Sequence, residues 1–573
     1  MITIFNRGIF VTVFFCPFSG GFPDEEGLHT IKCNSVFLIL KEIKKLNNVI
    51  IRKETKEDYY NTELMTMRAF WNQSKPGCNE HYLVHVLRDA AEYLPDLSLV
   101  AELDGKIVGT IMYTKAKVVD GEKEHEVLTF GPLAVEPTCI SMGIGAKLLE
   151  NSLENAKKAG YKGVVICGEP QYYPKHGFTT CDRFDIHHPA FGNADPFMAY
   201  PLNDGFEEIH GMFIEPDVFE ACEDEEKVRE FTKKFPYYKP LNFPGLWLHK
   251  EKLGRISEVC KNSYKIRFWE QEIPARLKGN FYEKDTDKFP VVGDYVTFLY
   301  NRQGDSLILS VCERTSFLQR PDQSKTGVMQ YMVANADYCF IVTSLNEDYS
   351  FNRMARYVSV ALQGGAIPVV ILTKSDLCSN VGRFVREAES LSEKVHVHAI
   401  SALLEMGLDE LDAYMKPGTT ICLIGSSGVG KSTLINSICK EEIMKTSEIR
   451  EDDGEGRHTT TYRKLIELPN GVTIIDTPGM REIGMANVQE GIDDTFSDIL
   501  ELESRCKFSN CRHDTEPGCA VKAAIESGEL SEERYALYKN LGRENSNNHA
   551  RKKEVSKWTK AYKKMNKRNI SDL

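Results

Sequence analysis

The chain lacks a segment fit to cross a membrane. Its most export-like stretch, 8–18, is apolar and follows Arg7, but eleven residues fall well short of the ~20 that span a bilayer as a helix. No small-residue cleavage site is clear after it, which argues against the signal-peptide reading too. Residues 1–48 read as a poorly ordered extension, or as the result of a start codon assigned too early. Paired-cysteine spacing is also missing. Sixteen cysteines are mostly scattered singly, which fits free or metal-bound thiols in a reducing compartment better than a disulfide framework. The expectation is a cytoplasmic protein that engages no membrane. An excess of positive charge is absent from the chain as a whole, whose formal net charge is −12. Yet 549–568 holds nine Lys or Arg against one Glu, with Trp558 and Tyr562 among them. That end suits RNA phosphates and base stacking, or a solvated tail when unbound. The length, 573 residues, calls for several cores rather than one.

What is present is organised around Thr420–Thr433. A short apolar run, Ile421-Cys422-Leu423-Ile424, reads as a buried parallel strand. It leads into Gly425-Ser426-Ser427-Gly428-Val429-Gly430-Lys431-Ser432-Thr433 and a helix-like segment through Cys439. The glycines let backbone N–H groups curl around phosphates, and the helix N-terminus adds partial positive charge. Lys431 reaches the β/γ-phosphates and the Ser432 hydroxyl suits magnesium.

Other pieces of a guanine-nucleotide site surround this loop. Val472–Ile475 runs into Asp476-Thr477-Pro478-Gly479, where Asp476 would hold the magnesium water shell and Gly479 would sense the γ-phosphate. Gly456-Arg457-His458-Thr459-Thr460-Thr461 lies in a polar, acidic stretch suited to a mobile switch. Upstream, Ile367–Leu372 is followed by Thr373-Lys374-Ser375-Asp376. A carboxylate there can accept both N1–H and the 2-amino group of guanine, a donor pair adenine lacks. Ser401-Ala402, after Val395–Ile400, fits the loop behind the base. The guanine-reading segment precedes the phosphate loop, so the domain is circularly permuted. Permutation is inexpensive because domain termini often lie close together on the surface.

An earlier domain opens near Val49. Asp96–Leu103 and Lys106–Thr114 flank Asp104-Gly105, a two-residue hairpin signal. Val127–Val135 leads to Gly143-Ile144-Gly145, then a helix from Ala146 to Lys158 with Leu148, Leu149 and Leu153 on one side. A further strand, Gly163–Cys167, precedes Tyr172-Tyr173-Pro174-Lys175-His176-Gly177-Phe178. Backbone N–H groups at the Gly143–Gly145 turn suit the pyrophosphate of coenzyme A. With GPLAVEP at 131–137, these features resemble the GNAT superfamily of N-acetyltransferases. The resemblance implies acetyl-CoA at Gly143 and Gly145, and Tyr173 as a proton donor to the leaving thiolate. Tyr173 also reads as a half-buried aromatic with a wet hydroxyl. Ile140 stands where that family usually has Gln or Arg. Residues 203–248 are acidic, then aromatic and proline-bearing, and read as the domain's last element plus a linker.

Five short runs follow: Arg255–Val259, Tyr264–Trp269, Ile273–Leu277, Asp294–Tyr300 and Ser306–Cys312. They indicate a small barrel of the oligonucleotide/oligosaccharide-binding type. Lys265, Arg267, Phe268, Arg276 and Lys278 are compatible with RNA, and equally with a barrel that merely exposes charge. Near the end, Cys506, Cys511, His513 and Cys519 supply four ligands within fourteen residues, a set suited to tetrahedral structural zinc. Helices are expected over Cys519–Glu526 and Ser531–Leu541.

From about 250 to 545 the order barrel, permuted GTPase, Cys₃His knot resembles the ribosome small-subunit-dependent GTPase A family, the YjeQ-type permuted GTPases. The resemblance rests on TKSD at 373–376, GSSGVGKST at 425–433, GRHTTT at 456–461, DTPGM at 476–480 and the C-x4-C-x-H-x5-C spacing. It implies GTP and Mg2+ as ligands and a small ribosomal subunit, with its rRNA, as partner. DNA is not expected. Thr373 replaces the usual Asn of the guanine motif, which would loosen the base pocket. Met480 replaces the glutamine that orients water in Ras-like enzymes, and His458 is the candidate to do so instead. The chain thus reads as multidomain α/β. After the 1–48 extension come an α+β acetyltransferase-like domain (49–240), an OB-type β-barrel (250–320) and a circularly permuted P-loop GTPase (330–494). A helical zinc-binding module (495–545) and a basic tail (546–573) complete it. The acetyltransferase-like part reads as a second enzyme of unknown acceptor, a GTP-gated enzyme or a docking module.

Overall fold

The computed structural model describes residues 2–6, 9–13, 48–190, 192, 194–243, 251–260, 263–279, 289–302, 304–321, 329–426, 428–439, 463–477 and 488–546. Within 1–48, Ile2–Asn6 and Ile9–Val13 pair as an antiparallel hairpin. The switch with His458, the Pro478-Gly479-Met480 end of the Asp476 turn, Ser427 and the basic tail from 547 onward lie outside the described residues. The chain divides into two units, 1–69 with 79–228 and 70–78 with 229–573.

In the first unit, strands Ile50–Lys53, Leu99–Leu103, Lys106–Asp120 and Lys123–Val135 run antiparallel in sequence order. Asp104 and Gly105 both take positive φ, the requirement of the tight turn read from the sequence. Gly163–Cys167 then pairs parallel with Lys123–Val135, at the single register position Leu128↔Val164. Beyond it the two strands fork. Helix Ile144–Lys158 buries Leu148, Leu149 and Leu153 on one face of the sheet, with Leu128, Phe130 and Val164. The opposite face carries Met112 under helix Glu80–Leu87, together with Val218, Phe219 and Cys222.

His81, on that covering helix, is fully buried, and burial pushes its imidazole down to about 4. Above pH ~6.5 the ring is neutral whether the chain is folded or not. Between ~6.5 and ~4 the unfolded chain takes up a proton the folded one refuses, so stability falls as pH falls. The full difference is about 3 kcal/mol at ~1.4 kcal/mol per unit. In denaturant titrations at pH 7 and pH 4, wild type should lose about this much more stability than His81→Leu.

In the second unit the five expected barrel strands are present as Lys252–Val259, Tyr264–Phe268, Gln271–Leu277, Tyr295–Leu299 and Ser306–Val311. They close through an antiparallel 252–259/264–268 pair and a parallel 271–277/306–311 pair. The strand Gln271–Leu277 alternates, with Ile273, Ala275 and Leu277 inward and Arg276 outward. Phe268 is only 4% exposed and belongs to the barrel core, so it offers no face to a base. Lys265 is paired with Glu258 at 2.6 Å and Arg267 with Glu467 at 2.6 Å. At the barrel's end Asp294, wholly buried, accepts two bonds from Arg314, at 2.7 and 2.8 Å.

The barrel continues into the next layer through Glu258↔Lys464. The order onward is Lys464–Glu467, Thr473–Asp476, Thr420–Ile424, Tyr338–Ser344, Ile367–Thr373 and His396–Ala399. From Thr473–Asp476 to His396–Ala399 every pairing is parallel. The phosphate-loop strand is central here although it comes after three of its sheet companions in the chain. That is the permutation expressed as geometry. Helix Phe351–Gln363 packs beneath the sheet against Gln489–Thr495. There Ser359 Oγ and Thr495 Oγ1 are 2.8 Å apart, and a Cβ on Gly491 would fall 1.9 Å from the Ser359 carbonyl oxygen. Helices Ser497–Ser504, Ala520–Ser527 and 532–546 share this core through Ile499, Val521 and Leu541.

Candidate functional sites

Strand Thr420–Ile424 is buried throughout and ends at Gly425. Gly425 has φ 149°, and a Cβ there would lie 2.3 Å from the Val342 carbonyl oxygen, so the neighbouring strand admits only glycine. Gly428 and Gly430 also have positive φ and wrap the loop onto helix Lys431–Cys439. Lys431 Nζ donates to the carbonyls of Gly425 (2.9 Å) and Ser426 (2.6 Å), folded onto the loop whose phosphates it would meet. The Ser426 hydroxyl is buried with no partner among the described residues, while Ser432 and Thr433 head the helix. Asp476 ends the adjacent strand. Burial raises its carboxyl above the ordinary range, and the charge of Lys431 works against that rise. The Thr477 hydroxyl donates to the Leu423 carbonyl, fixing the start of the turn.

The guanine-reading residues sit at the same end of the sheet. Lys374 takes φ 57°, which turns the chain sharply out of strand Ile367–Thr373. Ser375 N–H donates to the Ile400 carbonyl at 3.1 Å, joining the TKSD loop to the Ser401-Ala402 loop, and Asp376 is left exposed. Thr373, the residue expected to loosen the base pocket, is itself tied to the phosphate loop. Its buried hydroxyl donates to the Val429 carbonyl at 2.6 Å, tying base-reading strand to phosphate loop. Removing the hydroxyl would strand that buried carbonyl, at a cost of about 1–3 kcal/mol. Thr373→Val should therefore weaken GDP and GTP binding together by about tenfold or more, and Thr373→Ser should restore it, in equilibrium titrations with labelled nucleotides.

Residues 311–486 match a family model described as RsgA GTPase. The small ribosomal subunit biogenesis GTPase RsgA 2 of Listeria monocytogenes is 44% identical over 300 residues, covering 52% of this chain and 85% of its own length. The chain belongs to the RsgA GTPase family. Among solved structures, YjeQ from Thermotoga maritima aligns with 51% of this chain and 97% of its own, at 28% identity and a TM-score of 0.39. The RsgA match leaves the first unit unaccounted for. There, residues 64–178 match the Acetyltransferase (GNAT) family model. The GNAT-family N-acetyltransferase YhbS from Escherichia coli aligns with 30% of this chain and 92% of its own, at 24% identity and a TM-score of 0.27.

In the GNAT-like unit the fork past Leu128↔Val164 is the central feature. Gly143 takes φ 78° and caps helix Ile144–Lys158 without a side-chain cap, and the N–H groups at such a helix start lack intrahelical carbonyls and suit an anion. A Cβ on Gly145 would meet the Tyr172 hydroxyl at 2.9 Å. Tyr173 packs its ring on Phe130 at 5.9 Å and Phe178 at 5.4 Å, on the core side of the fork. Burial pushes its hydroxyl well above the phenol range, so it holds its proton at neutral pH. Phe130 and Tyr200, which the motifs did not single out, flank Phe178 of the 172–178 motif and complete an aromatic wall around it.

The four C-terminal candidates converge. The ligand atoms of Cys506, Cys511, His513 and Cys519 all lie within 4.8 Å of one another. Cys506 Sγ is 3.9 Å from Cys519 Sγ, and His513 Nδ1 is 3.6 and 3.4 Å from these two sulfurs. A tetrahedron with zinc–sulfur bonds of ~2.3 Å has edges of about 3.8 Å, so the set fits that ion. His513 Nε2 faces Glu503 at 3.3 Å, a carboxylate placed to orient a ligating imidazole. Nothing in the Cys-His spacing pointed to Glu503, which arrives from helix Ser497–Ser504. Among the described residues no helix is long and apolar enough to cross a membrane.

Proposed function

We propose that this chain is a cytoplasmic GTP hydrolase acting in maturation of the small ribosomal subunit, with a fused GNAT-type domain that transfers acetyl groups. The observation that carries the reading is one nucleotide site assembled at one end of the permuted sheet. It comprises the phosphate loop, Asp476 beside Lys431, and Asp376 on a loop tied through Thr373 to Val429. The name of the Listeria relative supports small subunits as the partner. GTP would lie along Gly425–Thr433 with Mg2+ near Ser432 and Asp476, and one Zn2+ would sit in the Cys₃His set as a structural ion. The exposed Arg276, Lys278 and the basic tail 546–573 are the remaining candidates for rRNA contact, since Phe268 is buried and Lys265 and Arg267 are paired. Acetyl-CoA would bind at Gly143–Gly145, and Tyr173 would protonate the departing thiolate.

Hydrolysis by the free protein should be slow, because Met480 cannot orient water as a glutamine does. A partner that orders the switch around His458 would complete the site. Small subunits should raise the GTPase rate at least tenfold, or ~1.4 kcal/mol of barrier. His458→Ala should remove most of that increase while leaving GTP affinity unchanged. Equal rates with and without subunits would refute the partner, and full stimulation of the variant would refute the histidine.

A further inference from the structure

The fork in the first unit has an acidic mouth. Seven of the twelve residues 215–226 are Asp or Glu, and none is Lys or Arg. This segment continues from strand Gly211–Ile214, which pairs with Lys117–Val119, and turns through residues 217–223. It reaches both arms of the fork. On one arm, the Phe219 ring lies 3.2 Å from where a Cβ on Gly131 would stand, three residues past Leu128. On the other, Cys167 ends strand Gly163–Cys167, and its thiol is pushed up by burial and then by the nearby Glu215 carboxylate. The segment is pinned in place: Asn79 Nδ2 donates to the Cys222 carbonyl at 2.9 Å, and Val218, Phe219 and Cys222 pack on helix Glu80–Leu87.

A second observation lies on the same face of the sheet. Thr114 is fully buried and its hydroxyl has no partner among the described residues. It stands directly across from Thr129, and alternation along its own strand places it on the same face as Met112, which packs with Phe219. A buried hydroxyl without a partner is costly, and a ligand group entering from this side would satisfy it. The Gly143 turn and Tyr173 belong to the opposite, helix-covered side, with Leu148 and Phe130. The two sides of the fork are thus chemically distinct, an anion-binding turn on one and a carboxylate rim on the other.

We propose that the acceptor entering this rim is a primary amine set among further positive charges, as in a polyamine or a lysine-rich protein segment. This rests on the acetyltransferase reading above. Carboxylates on an open rim steer a polycation and hold it at modest affinity, with strong dependence on ionic strength. The reaction forms the amide N–C bond and breaks the thioester C–S bond. Of the two protons the ammonium loses, one ends on the departing thiol and one goes to water, so an ammonium and a thioester give an amide, a thiol and one proton.

The test uses the full chain with acetyl-CoA and three acceptors: spermidine, a lysine-rich peptide, and a neutral peptide with one free amine. Thiol release is followed at low and high salt, and acetyl-CoA binding is measured separately by calorimetry. The expected result is a KM for at least one polycation tenfold or more below that of the neutral peptide, rising with salt. Spermidine against the lysine-rich peptide decides the source. The triple variant Glu220→Gln, Glu223→Gln, Glu225→Gln, all at exposed positions, should raise that KM tenfold or more with kcat and acetyl-CoA affinity unchanged. Equal KM for neutral and cationic acceptors, or an unchanged KM in the variant, overturns the acceptor assignment. Absence of acetyl-CoA binding overturns the acetyltransferase reading itself, and the acceptor assignment with it.

Discussion

Cys511→Ala is expected to release the zinc and unfold the loop 506–519 while GTP still binds. Four ligand atoms, three of them thiols, lie within 4.8 Å of one another in an exposed loop, as they would around one proposed ion. A structural zinc site of this kind supplies about 10–16 kcal/mol of apparent binding energy in small peptides, and that energy goes into folding. Removing one thiolate therefore costs more than any single contact in the region. The nucleotide ligands come from elsewhere in the chain, from 373–376, 425–433 and 476. The nearest helix of the C-terminal part, Gln489–Thr495, is held to Phe351–Gln363 by Gly491 and the Ser359–Thr495 pair, without the metal. Metal analysis should find under a tenth of the wild-type zinc, nucleotide titration should find unchanged affinity, and binding to small subunits should be lost. Full zinc content in the variant would remove the assignment, and lost GTP binding would refute the independence of the two sites.

The second large effect is at Asp294. Its carboxylate is wholly buried and bonded by both Arg314 Nε and the Val291 N–H, at 2.7 Å each. The Arg314 guanidinium also donates to the Phe289 carbonyl at 3.0 Å and lies over the Tyr331 ring at 4.4 Å. Asp294→Ala leaves a nearly buried cation and an N–H unmatched. Breaking such a pair from one side costs about 3–5 kcal/mol. The contrast is Glu258, whose partner Lys265 is 44% exposed and whose loss should cost about 1 kcal/mol or less. Hydrogen exchange over Tyr295–Leu299 should show the barrel opening at least about a hundredfold more often in Asp294→Ala, and no more than severalfold in Glu258→Ala. Similar protection in the two variants would mean that burial does not decide the worth of this pair.

Much of this was legible because the motifs carry their structure with them. A phosphate loop needs a strand before it and a helix after it, and Thr420–Ile424 and Lys431–Cys439 are where that requirement put them. Asp104-Gly105 specified a turn because few residue pairs tolerate two positive φ values. The barrel's five strands followed from alternation and spaced glycines. Phe268 stayed open between two readings because alternation in a single strand does not say which side is the core. The pairing with Gln271–Leu277, through Ile266↔Ile273 and Phe268↔Gln271, sets that side. Thr373 was read by its difference from asparagine, and that its hydroxyl lies 2.6 Å from the Val429 carbonyl came only with the fold.

What the sequence determined by itself is the chemistry on offer: the pieces of a candidate guanine nucleotide site in permuted order, four candidate metal ligands, and a turn suited to an anion in a GNAT-like domain. Each is a local pattern, since neighbouring residues supply both the groups and the backbone that presents them. Tertiary structure alone decided which distant groups meet. Glu503 reaches His513 only because helix Ser497–Ser504 passes the knot, and the charge of Lys431 acts on Asp476 only because strand Thr420–Ile424, which leads toward its helix, is adjacent to Thr473–Asp476. The acidic segment 215–226 looked like a connector in the chain. It becomes the rim of a fork because Phe219 fills the space that Gly131 leaves open, across more than eighty residues of sequence. Contacts of that span are set by packing and strand register, which no local window of residues encodes.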